Sequence, residues 1–404
     1  MLNDSSQSWH SLYLHVPFCA HKCEYCAFYS HAAQGETVNR YVRALIREME
    51  IIGPECPPRT IFFGGGTPSL LNLRQWEQIL AAMARWNLTG ASEWTVECNP
   101  ATVSLDKAKL LRSHGVNRIS MGVQSLNEQL LDRLGRIHSR EMVFKSFDIL
   151  RSAGFDNVNI DIMFAIPGQT VTIWRDTLSE AIALGSEHLS CYEVIYEQDT
   201  PLYAQLQANE FDVDEELACD MYDQLVDQAC ANGFQQYEVA NFARNLSANP
   251  KDIPDLACRH NVNYWRGGSF YGLGPSATGY VDGVRTKNWS NTILYCEQLE
   301  KGQRAIESSE NLSPLARAGE TAAFGMRMNA GWPFELFERT TGFDLRQEWA
   351  NELDSLVEHG LARQDENRIQ PTPRGLRFAD AVAEQFLRIE HQSKSNPRAI
   401  LDRR

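Results

Sequence analysis

From Leu12 to about Ile195 short apolar, β-branched runs alternate with longer stretches whose apolar positions repeat every three to four residues. The runs Leu12–Val16, Thr60–Phe63, Glu93–Glu97, Arg118–Gly122, Asn157–Met163 and His188–Ile195 predict strands, and the stretches between them predict amphipathic helices. Ser104 stands where a helix begins, and Gly115, Gly154 and Gly185 stand just past helix ends. Six strand-helix units in succession imply a parallel sheet with right-handed crossovers, curled into part of a barrel. An acid-led helix over 214–233 follows, then an extended stretch Tyr237–Phe242, a polar loop Asn245–Pro254 and a glycine- and aromatic-rich segment from Tyr264 to Tyr280. Beyond Leu312 the order helix, helix, helix, hairpin (Gly360–Pro373), helix predicts a mainly helical, winged-helix-like module. The expected divisions are a partial barrel over 1–245, a connecting segment over 246–310, the helical module over 311–390 and a polar tail over 391–404.

Composition narrows the class. Among 404 residues, 43% are hydrophobic and 22% charged, as in a globular protein with a large core. A net charge of -14 and the acids along the C-terminal helices argue against a general nucleic-acid surface, so a packing or partner role is expected for that module. No run approaches the roughly 18 apolar residues of a membrane span, and the polar start Met1–His10 lacks a signal-peptide core, so a cytoplasmic location is expected. Ten cysteines, seven of them scattered, do not form a disulfide framework.

The other three cysteines carry the chemistry. Cys19, Cys23 and Cys26 form a C-x3-C-x2-C triplet directly after the first strand. Soft thiolates so spaced suit an iron-sulfur cluster or zinc, and three of them leave one iron of a cubane open. His21 could complete a zinc site, and three buried structural cysteines are a further alternative. Four more features fall at the C-terminal ends of predicted strands, where barrels of this kind place their sites: Gly64-Gly65-Gly66-Thr67-Pro68, Glu97, Gln124 and Asp161. The glycine run predicts a bare backbone with exposed N–H groups and the Thr67 hydroxyl as ligand donors. Arg136 reads equally as a helix-end cation, and Asp161 as a satisfied core acid.

The triplet and the longer string YxHxPFCxxxCxYC resemble the radical S-adenosylmethionine (SAM) superfamily, in the branch of oxygen-independent coproporphyrinogen oxidases and HemW-type heme chaperones. The resemblance implies a 4Fe-4S cluster on Cys19, Cys23 and Cys26, its open iron taking the methionine end of SAM. It carries over Tyr13, Gly65, Gly66, Thr67, Glu97, Gln124, Arg136 and Asp161 as SAM contacts. An electron donor would be needed wherever SAM is cleaved to methionine and a 5'-deoxyadenosyl radical. Phe28 stands where the oxidases carry a further cysteine, and Arg259–Trp265, RHNVNYW, matches the HNxxYW string associated in the chaperones with heme. His260, Asn261, Tyr264 and Trp265 are therefore candidate heme contacts; without the family, a His-Asn pair beside two aromatics reads as a hydrogen-bonded loop anchor. The resemblance implies heme and an acceptor hemoprotein, possibly respiratory and membrane-associated, as partners. The competing implication is oxidative decarboxylation of coproporphyrinogen III.

Overall fold

A computed structural model describes residues 10–53, 58–247 and 251–388. The six expected strands form as β1 His10–Val16, β2 Thr60–Gly65, β3 Glu93–Cys98, β4 Arg118–Gln124, β5 Val158–Phe164 and β6 His188–Glu193. They lie parallel and in sequence order, with Leu14 beside Phe63, Phe63 beside Val96, Val96 beside Ile119 and Ile119 beside Val158. The crossover helices cover the sheet with one apolar face. In Leu73–Arg85 that face is Trp76, Ile79, Leu80 and Met83, and Asn72 and Gln75 cap the helix reciprocally. Trp76 packs on Phe63, ring centroids 5.0 Å apart, so the helical period is locked to the strand beneath. The expected helix stops at Gly115, Gly154, Gly185 and Gly233 all have positive φ, whereas Ser104 occupies its N-cap without donating or accepting a cap bond through its side chain.

The stretch read as extended over Tyr237–Phe242 is a tight antiparallel pair, β7 Phe234–Glu238 and β8 Asn241–Arg244, with β8 bound to the outer edge of β6. A larger departure concerns the segment expected to connect two domains. It supplies β9 Ser269–Leu273, β10 Thr278–Val281, β11 Val284–Asn288 and β12 Ile306–Asn311 to the same sheet. The order is β12-β11-β10-β9-β1-β2-β3-β4-β5-β6-β8-β7, an open twelve-stranded sheet in which β9 adds a seventh parallel strand beside β1. Periodicity concealed β9 because Gly272 interrupts it. A Cβ there would lie 2.0 Å from the Thr278 carbonyl oxygen, so the glycine is the condition for the β9–β10 crossing rather than a break.

A buried carboxylate fastens this addition. Glu48, on the helix Gly35–Ile52, accepts hydrogen bonds from the Gly274 N–H (2.8 Å), the Asn288 amide (2.7 Å) and the Tyr295 hydroxyl (2.6 Å). Residues 1–311 accordingly make one compact unit. The second, from Leu312, contains helices Pro314–Gly325, Phe334–Thr341, Leu345–Glu348 and Ala350–Glu358 around Trp332, Phe337 and Trp349. Its hairpin is β14 Ala362–Gln364 with β15 Arg368–Pro371, joined by a third strand β13 Trp332–Pro333, and the final helix is broken at Phe378. Among the described residues no helix is long and apolar enough to cross a membrane. The tail 391–404, residues 1–9 of the polar start and residues 248–250 of the polar loop lie outside the described residues.

Removing the Glu48 carboxylate leaves three buried donors unpaired. Glu48→Ala is expected to cost about 3 kcal/mol or more of unfolding free energy, read by urea denaturation; a cost near zero would contradict the fastening role.

Candidate functional site

The loop after β1 carries the three cysteines, and its base is bound to the loop after β2. Gly66 N–H donates to the Val16 carbonyl and Thr67 N–H to the Phe18 carbonyl, both at 2.7 Å. A Cβ on Gly66 would stand 2.6 Å from the Phe18 oxygen, so only glycine lets the two loops lie this close. This corrects the expectation that the glycine run exposes its N–H groups to a ligand. Those amides are used inside the fold, and the Gly65 N–H is directed to the Glu97 carboxylate. The Thr67 hydroxyl likewise faces Cys19 Sγ, at 3.6 Å.

The loops enclose a cavity of about 440 Å³ at the C-terminal ends of the parallel strands. That size lies within the range of roughly 300–1,000 Å³ for small-molecule sites. Cys19, Cys23 and Cys26 line it, all three free and half-buried. Gly65, Gly66 and Thr67 form one wall; Glu97, Gln124, Arg136 and Asp161 form the others. Arg136 donates to Cys23 Sγ (3.4 Å) and to the Gly122 carbonyl (2.5 Å), while its buried Nε has no hydrogen-bond partner. Gln124 holds a left-handed backbone, φ +66°, next to an irregularity in β4, a local strain that turns its side chain into the cavity wall.

Tyr13 does not line this cavity. Its hydroxyl meets His15 Nδ1 at 3.0 Å, and His15 Nε2 meets the Tyr29 carbonyl at 2.8 Å, so both residues support the cysteine loop from behind. Residues absent from the sequence reading also line the cavity: Cys98, Ser120, and Tyr192 and Glu193 at the end of β6. The rule that placed the first five features would have found the last two, had β6 not been read as running on to Ile195.

The HNxxYW segment lies elsewhere. His260 is 1% exposed, in the helix Arg259–Trp265, and its contacts are with the N-terminal ends of the strands. Nδ1 pairs with Thr60 Oγ1 at 2.9 Å and Nε2 with the Tyr264 hydroxyl at 2.8 Å, while its N–H and that of Arg259 donate to Glu93. Tyr264 packs against Phe270 and His260, and Asn261, Tyr264 and Trp265 are half-buried outside the cavity lining. Both imidazole nitrogens are engaged, and burial pushes the pKa down to about 3. The candidate heme contact His260 therefore has neither ring nitrogen open to a ligand here, and it serves as a buried anchor, the reading the residues gave without the family.

Charge suits the cavity to a ligand bearing both signs. Glu97 and Asp161 are neighbouring acids; burial, and then the Asp161 charge, pushes Glu97 up to about 8, and burial also raises Asp161. Such a pair favours a bound cation, and Arg136 beside it favours a carboxylate. The thiols fit a cluster as well. Among the described residues no three His, Cys, Asp or Glu side chains converge on a point suited to one metal ion. Ligands of a cubane instead bind separate irons and stand apart. The Thr67 hydroxyl and the Arg136 guanidinium are directed at the Cys19 and Cys23 sulfurs, the kind of surrounding donors that orient a metal centre's ligands.

Two outcomes follow. In the cluster-free protein the folded state holds the Glu97 proton from about pH 4.3 to about 8, a window in which the unfolded chain has lost it. The stability from that proton is complete at low pH and is lost as pH rises through about 8. The melting temperature of Glu97→Gln, relative to wild type, should therefore rise between pH 6 and pH 9, and a pH-independent difference would contradict the assignment. For the anchor, His260→Ala should cost about 2–4 kcal/mol in urea denaturation, since it empties a core site and removes the partner of the Tyr264 hydroxyl; an unchanged midpoint would refute that role.

Comparison with known proteins agrees with this geometry. Residues 13–181 match the radical SAM superfamily, and residues 312–378 match the HemN C-terminal domain. The chain is 33% identical to the heme chaperone HemW of Lactococcus lactis subsp. lactis (strain IL1403), over 94% of this chain and 98% of that one. It is 32% identical to HemW of Bacillus subtilis (strain 168), over 93% and 99%, and 32% to HemW of Escherichia coli (strain K12), over 93% and 98%. The solved structure of Escherichia coli coproporphyrinogen III oxidase (HemN), described as a radical SAM enzyme, shares the fold with a TM-score of 0.81 at 22% identity, over 94% of this chain and 90% of that one. A partial (β/α)6 barrel of radical SAM type with a winged-helix-like C-terminal module, matched along nearly its whole length at this identity, places the chain in the HemW family of the radical SAM superfamily.

Proposed function

We propose that this protein is a heme chaperone that holds a 4Fe-4S cluster on Cys19, Cys23 and Cys26, binds SAM in the adjoining cavity and passes heme to an acceptor hemoprotein. The observation that carries the proposal is the meeting of three free thiols with Gly66, Glu97, Arg136 and Asp161 around one cavity, in a chain of the HemW family. The cluster, when bound, supplies an open iron and a source of an electron. The chain's own residues do the rest. Arg136 meets the ligand carboxylate and neutralises charge at Cys23, Glu97 and Asp161 receive the cationic part, and the joined loops after β1 and β2 keep water from the thiols. Solution in the cytoplasm and an acceptor at a respiratory membrane belong to the same proposal.

The enzyme reading, decarboxylation of coproporphyrinogen III, shares the cavity but not the thiol after the triplet, where Phe28 is 70% exposed. Anaerobic reconstitution with iron and sulfide separates the two. The chaperone proposal predicts a saturable heme titration in the Soret region and no protoporphyrinogen IX from coproporphyrinogen III, with Cys19→Ala/Cys23→Ala/Cys26→Ala losing iron. Turnover of the porphyrinogen, or heme uptake no greater than that of an unrelated protein, would overturn it.

A further inference from the structure

Behind the cavity wall a file of fully buried polar groups crosses the interior of the sheet. Asn159 is 1% exposed, and His188 and Tyr237 are at 0%. The Asn159 side-chain nitrogen donates to Asp161 Oδ1 and to Ser120 Oγ, both at 2.7 Å. Its oxygen lies 2.6 Å from His188 Nδ1 and accepts from Ser190 Oγ at 3.1 Å. His188 Nε2 meets the Tyr237 hydroxyl at 2.9 Å, and that hydroxyl accepts from the Cys258 N–H at 3.2 Å. Cys258 is the residue immediately before the helix Arg259–Trp265, whose anchor His260 was described above.

The bonds can be assigned a direction. A carboxylate oxygen accepts, so the Asn159 NH2 group faces Asp161 and its carbonyl faces His188. Burial, with Arg118 nearby, holds His188 neutral, so its ring has one donor and one acceptor. Nδ1 must then carry the proton, and Nε2 must accept from Tyr237. Every link from Cys258 through Tyr237, His188 and Asn159 thus donates toward Asp161. Aligned bonds of this kind polarise one another in a low-dielectric interior.

We infer that Asn159, His188 and Tyr237 are positioning residues, a one-way hydrogen-bond relay that fixes the Asp161 carboxylate in the cavity and ties it to the start of the Arg259–Trp265 helix. None of the three lines the cavity; they act on a ligand only through Asp161. The relay accounts for a polar file inside a core that periodicity would fill with apolar residues, and it joins the two motif regions that lie at opposite ends of the strands. Its effect on SAM rests on the site reading proposed above, whereas the bond directions do not.

Two measurements test it. In full-length, cluster-free protein labelled with ¹⁵N-histidine, the His188 ring, identified by its contact with Tyr237 (ring centroids 5.6 Å apart), should be the neutral Nδ1–H tautomer; an Nε2–H or charged ring overturns the relay. In reconstituted protein, His188→Asn retains a donor toward Asn159, whereas His188→Leu fills the space without one. SAM affinity, by equilibrium dialysis, should fall about tenfold in His188→Leu and be largely restored in His188→Asn. Leucine equal to or better than asparagine would mean packing alone and would overturn the positioning role. Should wild type bind no SAM, the proposed function fails while the tautomer still decides the relay.

Discussion

The site depends on two backbone hydrogen bonds, Gly66 to Val16 and Thr67 to Phe18, that hold the glycine loop against the base of the cysteine loop. A loop bearing three thiols has no reason of its own to keep them on one side of a sheet. Bound along its base, and supported by His15 behind, it presents all three to the same cavity as the strand-end acids. The Gly66 and Thr67 amides serve this close approach, while Gly65 and Gly66 still form part of the cavity wall. In that sense the motif is an adaptation of the scaffold that the site then uses.

Parallel strands in sequence order have one further consequence. Their C-terminal ends gather residues distant in sequence, so Cys19, Glu97, Gln124 and Asp161 meet though no local signal joins them. The opposite ends collect a second set, Thr60, Glu93 and His260, satisfied among themselves. The first set leaves three free thiols and a raised carboxylate lining the cavity, with a buried Arg136 Nε that has no hydrogen-bond partner beside them. The second leaves little to offer. This contrast supports the first as the candidate site and the second as an anchor.

The six βα units, their helix stops and the strand-end features at the cysteine triplet, Gly65, Gly66, Thr67, Glu97, Gln124 and Asp161 were legible in the sequence, because period-two and period-3.6 patterns and strand-end positions are local properties; Cys98, Ser120, Tyr192 and Glu193 were not, and Arg136 came from the resemblance alone. What escaped depended on long-range pairing. β9 was hidden by Gly272, whose value lies in approaching Thr278, and Glu48 looks like any surface acid of a helix until Gly274, Asn288 and Tyr295 surround it. The same limit explains the two corrected contacts. Tyr13 and His260 sit in recognisable strings, but only the fold shows that their polar atoms are taken by His15, Thr60 and Tyr264.

The most direct test of the account is spectroscopic. Iron analysis and electron paramagnetic resonance on the anaerobically reconstituted, reduced protein, with and without SAM, ask whether the triplet holds a cubane with an open corner facing the Glu97–Arg136 cavity. The account predicts close to four irons per chain and a 4Fe-4S signal whose g values shift when SAM is added. Zinc in place of iron, or a cluster signal indifferent to SAM, would contradict it.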